Sequence, residues 1–212
     1  MPIATQEVLE GVWAVKGGPS NAFVVSLNDT AIAIDAGAGE AKMTVALEET
    51  GVRADRVSAV FLTHSDRDHA GGLSLFSGAR VFLSADEEQM IDGRQARGFL
   101  YKNKPLAVRY ELVEDGDTLN LGDFEIQVIA TPGHTPGSVS YLVNRNLLFT
   151  GDAITLKAGA ARKFFPPYLN MDGQALDNSL RRLAALENIS LLCTAHSGYS
   201  ADFPAAMKAW RR

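Results

Sequence analysis

The segment Thr63-His64-Ser65-Asp66-Arg67-Asp68-His69-Ala70-Gly71-Gly72 places two imidazoles and two carboxylates within six residues, directly after the apolar run Ala59-Val60-Phe61-Leu62. Imidazole nitrogen and carboxylate oxygen are donors that zinc, iron and manganese accept, so such a cluster at the end of a predicted strand reads first as a metal site. The chain has four histidines. The other two stand in Thr131-Pro132-Gly133-His134 and Ala195-His196-Ser197-Gly198, each after an apolar run, and a further run ends in Thr150-Gly151-Asp152. Taken singly, each motif has a plain structural reading: a polar helix N-terminus, a satisfied turn histidine, a turn aspartate. Taken together, they are four strand-end loops that each offer a ligand, with glycines that let the backbone approach closely. Strands ending at one edge of a sheet bring such loops to one place.

The elements that must do this are legible in outline. Val12–Lys16, Ala22–Leu27 and Ala31–Asp35 read as strands separated by turn-forming residues. Glu40–Thr50 carries Met43, Ala46 and Leu47 at helical spacing, with Gly51 as a stop. Strand Val57–Leu62, a short helix near Gly72–Phe76, strand Arg80–Leu83 and helix Ala85–Ile91 follow. Strand signals resume at Ala107–Val113, Asp117–Leu121, Phe124–Ala130, Ser138–Val143 and Leu147–Thr150. Asp172 is placed to cap a helix bearing Leu176, Leu180 and Leu183. Ile189–Thr194 reads as the last strand, before a terminal helix with Phe203, Ala206, Met207 and Trp210 on one face. Residues 92–105 and 153–171 read as irregular. Two such halves predict two sheets face to face with helices outside.

The chain has 212 residues, a length suited to one domain, and its 46% hydrophobic and 21% charged content is that of a globular protein. Its 20 basic and 25 acidic residues give a net charge of −5, which argues against a sequence-independent nucleic-acid binder. No apolar run approaches a transmembrane span. Nothing at the amino terminus resembles a secretory signal, and Cys193, the one cysteine, fits a reducing compartment. These features lead to the expectation of a cytoplasmic enzyme acting on a small molecule, without nucleic-acid or membrane partners.

In this order, the four motifs resemble the metallo-β-lactamase fold superfamily, whose signature is His-x-His-x-Asp-His followed by distant His, Asp and His. The resemblance spans essentially the whole chain and includes the turn Asp35-Ala36-Gly37. It implies a single domain over residues 1–212 with a four-layer αββα sandwich of two mixed sheets. It also implies two divalent ions (zinc, iron or manganese), one held by His64, Asp66 and His134, the other by Asp68, His69 and His196, with Asp152 bridging. Asp68 would double as the catalytic residue that orients the nucleophile or moves its proton. Asp35 is a candidate to support a ligand histidine from behind, and a buried structural turn is the competing role. The activity implied is hydrolysis of a small ester, thioester or lactone by a water whose pKa the metal pair lowers. An iron-dependent oxidoreductase of the sulfur dioxygenase type and a phosphodiesterase or nuclease are the alternatives.

The departure from the signature is Asp66, where histidine is commoner. Two dications against Asp66, Asp68 and Asp152 leave one positive charge before any hydroxide binds. A histidine at position 66 leaves two. A harder, more negative donor set is expected to shift preference from zinc toward iron or manganese. Phe99, Tyr101, Phe164, Phe165 and Tyr168 are candidates to line a substrate pocket, with packing on the body or across a homodimer contact as the other reading. Arg94, Arg97, Lys102 and Lys104 read as a solvated basic face, Tyr199 as a packing residue with reach toward a substrate oxygen as the other reading, and Cys193 as core.

Overall fold

The run Val57–Phe61 is apolar at four of five positions because it lies inside a sheet covered on both faces. The computed structural model describes residues 1–97, 102–164 and 166–211. A seven-stranded sheet is built in chain order from β1 (Gln6–Leu9), β2 (Val12–Val15), β3 (Ala22–Leu27), β4 (Thr30–Ile34), β5 (Val57–Phe61), β6 (Arg80–Ser84) and β7 (Glu111–Val113). Its first four strands pair antiparallel, and the pairings from β4 to β7 are parallel. Parallel neighbours need crossovers. One crossover carries helix α1 (Glu40–Glu48) and the next carries the His64–His69 cluster, in the loop before and on the one-turn helix α2 (Arg67–Ala70). The short helix α3 (Glu88–Ile91) follows β6.

The second sheet has six strands. They are β8 (Thr118–Leu121), β9 (Phe124–Ala130), β10 (Val139–Val143), β11 (Leu147–Phe149), and then, beyond a small hairpin of β12 (Ile154–Lys157) and β13 (Ala160–Lys163), β14 (Leu191–Thr194) and β15 (Gly198–Ser200). Their spatial order is β15-β14-β11-β10-β9-β8. Among the described residues, the one parallel pairing in this sheet is β11 with β14, and it spans the hairpin and helix α4 (Gly173–Ala184).

Alternation along the strands creates the layers. Phe23, Phe61 and Phe82 of the first sheet meet Val128, Tyr141, Phe149 and Cys193 of the second in one buried cluster. The intervening residues Val24, Val60 and Leu83 face outward under Met43 and Leu47 of α1. Ile129, Leu142, Leu148 and Leu192 face outward under Leu176, Leu180 and Leu183 of α4. Three clusters separated by two mixed sheets make an αββα sandwich.

The ends of the elements depart from the sequence reading in several places. β1 was not anticipated; its burial pattern is largely exposed, so it lacks the apolar alternation that marks a strand. Only Glu111–Val113 of the expected strand 107–113 pairs with β6. Residues 153–171, expected to be irregular, contain the β12–β13 hairpin, whose turn places Ala158 and Gly159 at positive φ of 50° and 77°. That hairpin packs as a separate two-stranded piece, so its strands are short and only half buried. The strand at 191–194 is not the last, because β15 pairs back onto it. The terminal helix is a single turn, α5 (Phe203–Ala206), followed by a tighter turn at Lys208–Trp210. The carboxylate of Asp172 caps α4 by accepting from Gln174 N and Ala175 N, each at 2.9 Å.

Candidate metal centre

β4 and β5 run parallel, as do β11 and β14, and β9 is oriented with β11 because β10 pairs antiparallel to both. Their following loops therefore emerge on the same edge of each sheet. Contacts that cross between the sheets bring the two edges together. Val139 N donates to Thr63 O at 2.9 Å, Asn21 N to Ala195 O at 2.7 Å, and Tyr141 Oη to Leu62 O at 2.8 Å. Gly151 takes φ of +50°, and a Cβ there would lie 2.4 Å from Thr63 Oγ1, so only glycine lets the Asp152 loop close onto the cluster.

All seven sequence-predicted ligand positions meet at this edge. Nε2 of His64 and Nε2 of His134 lie 3.4 and 3.3 Å from Oδ2 of Asp66. On the other side, Nε2 of His69 and of His196 lie 3.7 and 3.4 Å from Oδ2 of Asp68. Asp152 stands between the two groups with its oxygens divided. Oδ2 is 3.4 Å from His134 Nε2 and 4.0 Å from His64 Nε2, while Oδ1 is 3.4 Å from His69 Nε2 and 3.2 Å from His196 Nε2. Three groups of three donors lie mutually within 4.8 Å: His64, Asp66 and His134; His64, His69 and Asp152; Asp68, His69 and His196.

The opposite nitrogen of every imidazole is already engaged. His69 Nδ1 meets Asp35 Oδ2 at 2.8 Å, and His64 Nδ1 meets Thr63 Oγ1 at 3.1 Å. His134 Nδ1 meets Asn170 Oδ1 at 3.1 Å, and His196 Nδ1 meets Pro19 O at 2.8 Å. Such partners orient the ring and leave Nε2 for a cation. Asp35 holds its place at positive φ of 62°, where its Oδ1 also accepts from Thr63 N at 2.8 Å. The contact to His69 is the supporting role considered for this aspartate.

The donor set fits a cation on its own chemistry. Among the described residues, His64 Nε2, His69 Nε2 and Asp152 Oδ1 are buried and have no hydrogen-bond partner. Buried polar atoms rarely stay unpaired. Burial works against ionising Asp66, Asp68 and Asp152, yet the surrounding imidazoles and, at Asp66, Arg97 hold all three in the ionised range. Asp35, with Asp152 and Asp68, overcomes burial at His69, which is raised, and Asp152 with Asp68 does so at His196, which is raised to about 9. Burial dominates at His134 and lowers it. Asp68 and Asp152 thus hold His69 and His196 charged and are held charged by them, an arrangement suited to exchange protons for metal.

Several residues at this centre had no usable sequence signal. Glu87 is fully buried. Its Oε1 accepts from Ser65 N at 2.9 Å and Ser65 Oγ at 2.7 Å, and its Oε2 accepts from Thr135 Oγ1 at 2.7 Å, so it ties the cluster loop to the His134 loop. A lone glutamate in an acidic helix start offers no sign of this. Arg97 was read as part of a solvated basic face, and that reading is corrected. Its side chain is 13% exposed and pairs with Asp66, because it turns inward over the cluster. Asn103, six residues on, donates to Asp66 Oδ1 at 3.0 Å and to Ser65 Oγ at 2.7 Å. Phe164 is buried with its ring centre 4.7 Å from that of His134 and 5.2 Å from that of His196, so it covers both halves of the centre. Tyr168 is 81% exposed and Tyr199 also faces solvent, contrary to the packing reading of Tyr199. Phe99, Tyr101 and Phe165 lie outside the described residues.

Residues 15–196 match the family model of the metallo-beta-lactamase superfamily. A hydroxyacylglutathione hydrolase from Aeromonas hydrophila is 31% identical over 142 residues, which is 66% of this chain and 48% of the relative, so the chain spans about half of that relative's length. A metallo-beta-lactamase of Cronobacter sakazakii with a HARLDQ motif superposes with a TM-score of 0.71 at 26% identity, covering 91% of this chain and 80% of that one. A metallo-beta-lactamase family protein of Thermus thermophilus superposes with a TM-score of 0.70 at 22% identity, covering 96% and 79%; it shares the fold. Among the described residues, no helix is long and apolar enough to cross a membrane.

Proposed function

The chain belongs to the metallo-beta-lactamase superfamily, and from that premise we propose that it is a dinuclear metal-dependent hydrolase of small esters, thioesters or lactones. One observation carries the reading: the two oxygens of Asp152 are shared between two opposed sets of donors. His64, Asp66 and His134 would hold one divalent ion and Asp68, His69 and His196 the other, with Asp152 between them. A bound pair of this kind supplies Lewis acidity toward a carbonyl oxygen and an ionised water at neutral pH.

The chain's own residues do the rest. Thr63, Asp35, Asn170 and the Pro19 carbonyl fix the four rings before substrate arrives. Asp68 is 27% exposed, the most open of the three carboxylates, and is placed to orient the nucleophile or carry its proton to the leaving group. Phe164 lies across His134 and His196 and keeps bulk water from that side. The Aeromonas relative is named for hydrolysis of an acyl conjugate of glutathione, which places thioesters first on the substrate panel.

The test is metal quantification followed by assay of the zinc, manganese and iron forms against thioesters, lactones and phosphodiesters. The expected result is two metal ions per chain and turnover of an acyl substrate that Asp152→Ala abolishes. Activity that survives Asp152→Ala would remove the dinuclear mechanism. Oxygen uptake with one iron per chain would assign an oxidoreductase instead.

A further inference from the structure

Asp66 stands where the superfamily signature has histidine, and the structure shows what accompanies it. Oδ2 of Asp66, the oxygen that faces His64 and His134, is also the acceptor of Arg97 Nη1. Oδ1 is held by Asn103 at 3.0 Å. Asp66 is thus gripped from outside by two side chains while it faces two imidazoles inside. Arg97 does not gain its place by good pairing alone. Among the described residues its Nε and Nη2 have no hydrogen-bond partner, although both atoms are buried, so the guanidinium is kept out of water with only Nη1 paired there. A buried, underpaired cation next to a metal site is costly unless its charge is needed there.

Charge supplies the need. With two dications, a histidine at position 66 would leave the centre at two positive charges, and an aspartate there leaves one. Adding Arg97 restores two. The donors from Arg97 and Asn103 also occupy both carboxylate oxygens, so Asp66 has one lone pair of Oδ2 directed inward and behaves as a single-point ligand, as an imidazole does.

We propose that Arg97 and Asn103 are positioning residues of the metal centre, paired with Asp66 so that an aspartate takes the place of a histidine without changing the charge or the one-atom ligation of the site. The inference rests on the metal-centre reading and concerns which residues make it work. It requires that positions 66 and 97 be coupled: a neutral residue at 66 leaves Arg97 unpaired against a dication, and removing Arg97 relieves that repulsion.

The experiment is a double-mutant cycle read by metal binding. Wild type, Asp66→His, Arg97→Gln and the double variant are stripped and refilled with zinc alone and with manganese alone. Stoichiometry is measured by elemental analysis and affinity by competition with a chromophoric chelator. Circular dichroism confirms that each variant is folded. Asp66→His is expected to weaken the more loosely held ion at least about a hundredfold, and the added Arg97→Gln to recover at least about tenfold of that, each tenfold being about 1.4 kcal/mol of coupling. If Asp66→His does not fold, Asp66→Asn, isosteric and also neutral, takes its place in the same cycle with the same expectation. Unimpaired binding by the position-66 variant, or a double variant no tighter than that single one, overturns the proposal. A wild-type chain retaining less than one zinc or manganese would overturn the metal-centre reading and this inference with it, whereas full loading with additive effects overturns this inference alone.

Discussion

Removing the carboxylate of Glu87 should unlatch the centre without touching a ligand. In Glu87→Ala, Ser65 N, Ser65 Oγ and Thr135 Oγ1 lose the carboxylate they share, and Ser65 and Thr135 are both buried. A hydrogen bond to a carboxylate is worth roughly 1.5–3 kcal/mol, and an unpaired buried donor forfeits about 1–3 kcal/mol. Thr135 Oγ1 has a second neighbour in Ser138 Oγ at 2.7 Å, which recovers part of the loss. The sum is about 4 kcal/mol, or a melting temperature lower by about 8–16 °C for a chain of this size. Glu87→Gln keeps an acceptor toward Ser65 and turns an amide toward Thr135, whose hydroxyl can accept, so it should cost only about 1–2 kcal/mol. Urea denaturation of the metal-stripped protein measures both. The stripped form is the right sample because bound metal would add stability by linkage. A Glu87→Ala variant within about 1 kcal/mol of wild type would refute the reasoning, since it would mean water replaces the carboxylate at no loss.

Other expectations follow from the same geometry. In the metal-stripped protein, His196 is raised to about 9 from 6.5, so its stabilising contribution is complete below pH 6.5 and lost as pH rises through 9. The urea midpoint should therefore fall across that window, with His196 alone contributing about 3 kcal/mol in free energy and His69, also raised, adding loss in the same direction as pH rises, while His134, which burial lowers, does not titrate there; a flat or rising midpoint would contradict it. Because His69 and His196 are both raised, zinc loading at pH 7 should release about two protons per chain from these rings and about one more from the water the pair ionises, measurable in weakly buffered solution with an indicator dye, and release of none would contradict the charge assignment. Asp35→Ala deprives His69 Nδ1 of its partner and should weaken metal affinity by roughly 10- to 100-fold in chelator competition. The Cys193 thiol, buried and pushed up in pKa, should react with a thiol reagent only when the protein unfolds, so rapid labelling of the native chain would refute its inter-sheet position.

The candidate ligand residues and the layering were legible in the sequence. Histidine and aspartate at strand ends are a local signal, readable because each candidate ligand is marked by its own motif and each strand by its own run of apolar residues. The alternation of Phe61 with Val60, or of Tyr141 with Leu142, already assigns the residues to two faces. What the sequence lacked was any local mark on residues whose role is set by what lies across space. Glu87 is 22 residues from Ser65 and 48 from Thr135, and nothing in its own helix says that both hydroxyls point at it. Arg97 looked like one of several basic residues on a polar segment, and only its inward turn made a solvated cation into the partner of Asp66. The weakly patterned strands β1 and β12–β13 escaped for a related reason: their stability comes from the neighbours they pair with, and a short half-exposed strand carries little hydrophobic period of its own. Local chemistry marked the candidate ligands; tertiary packing decided which side chains brace them.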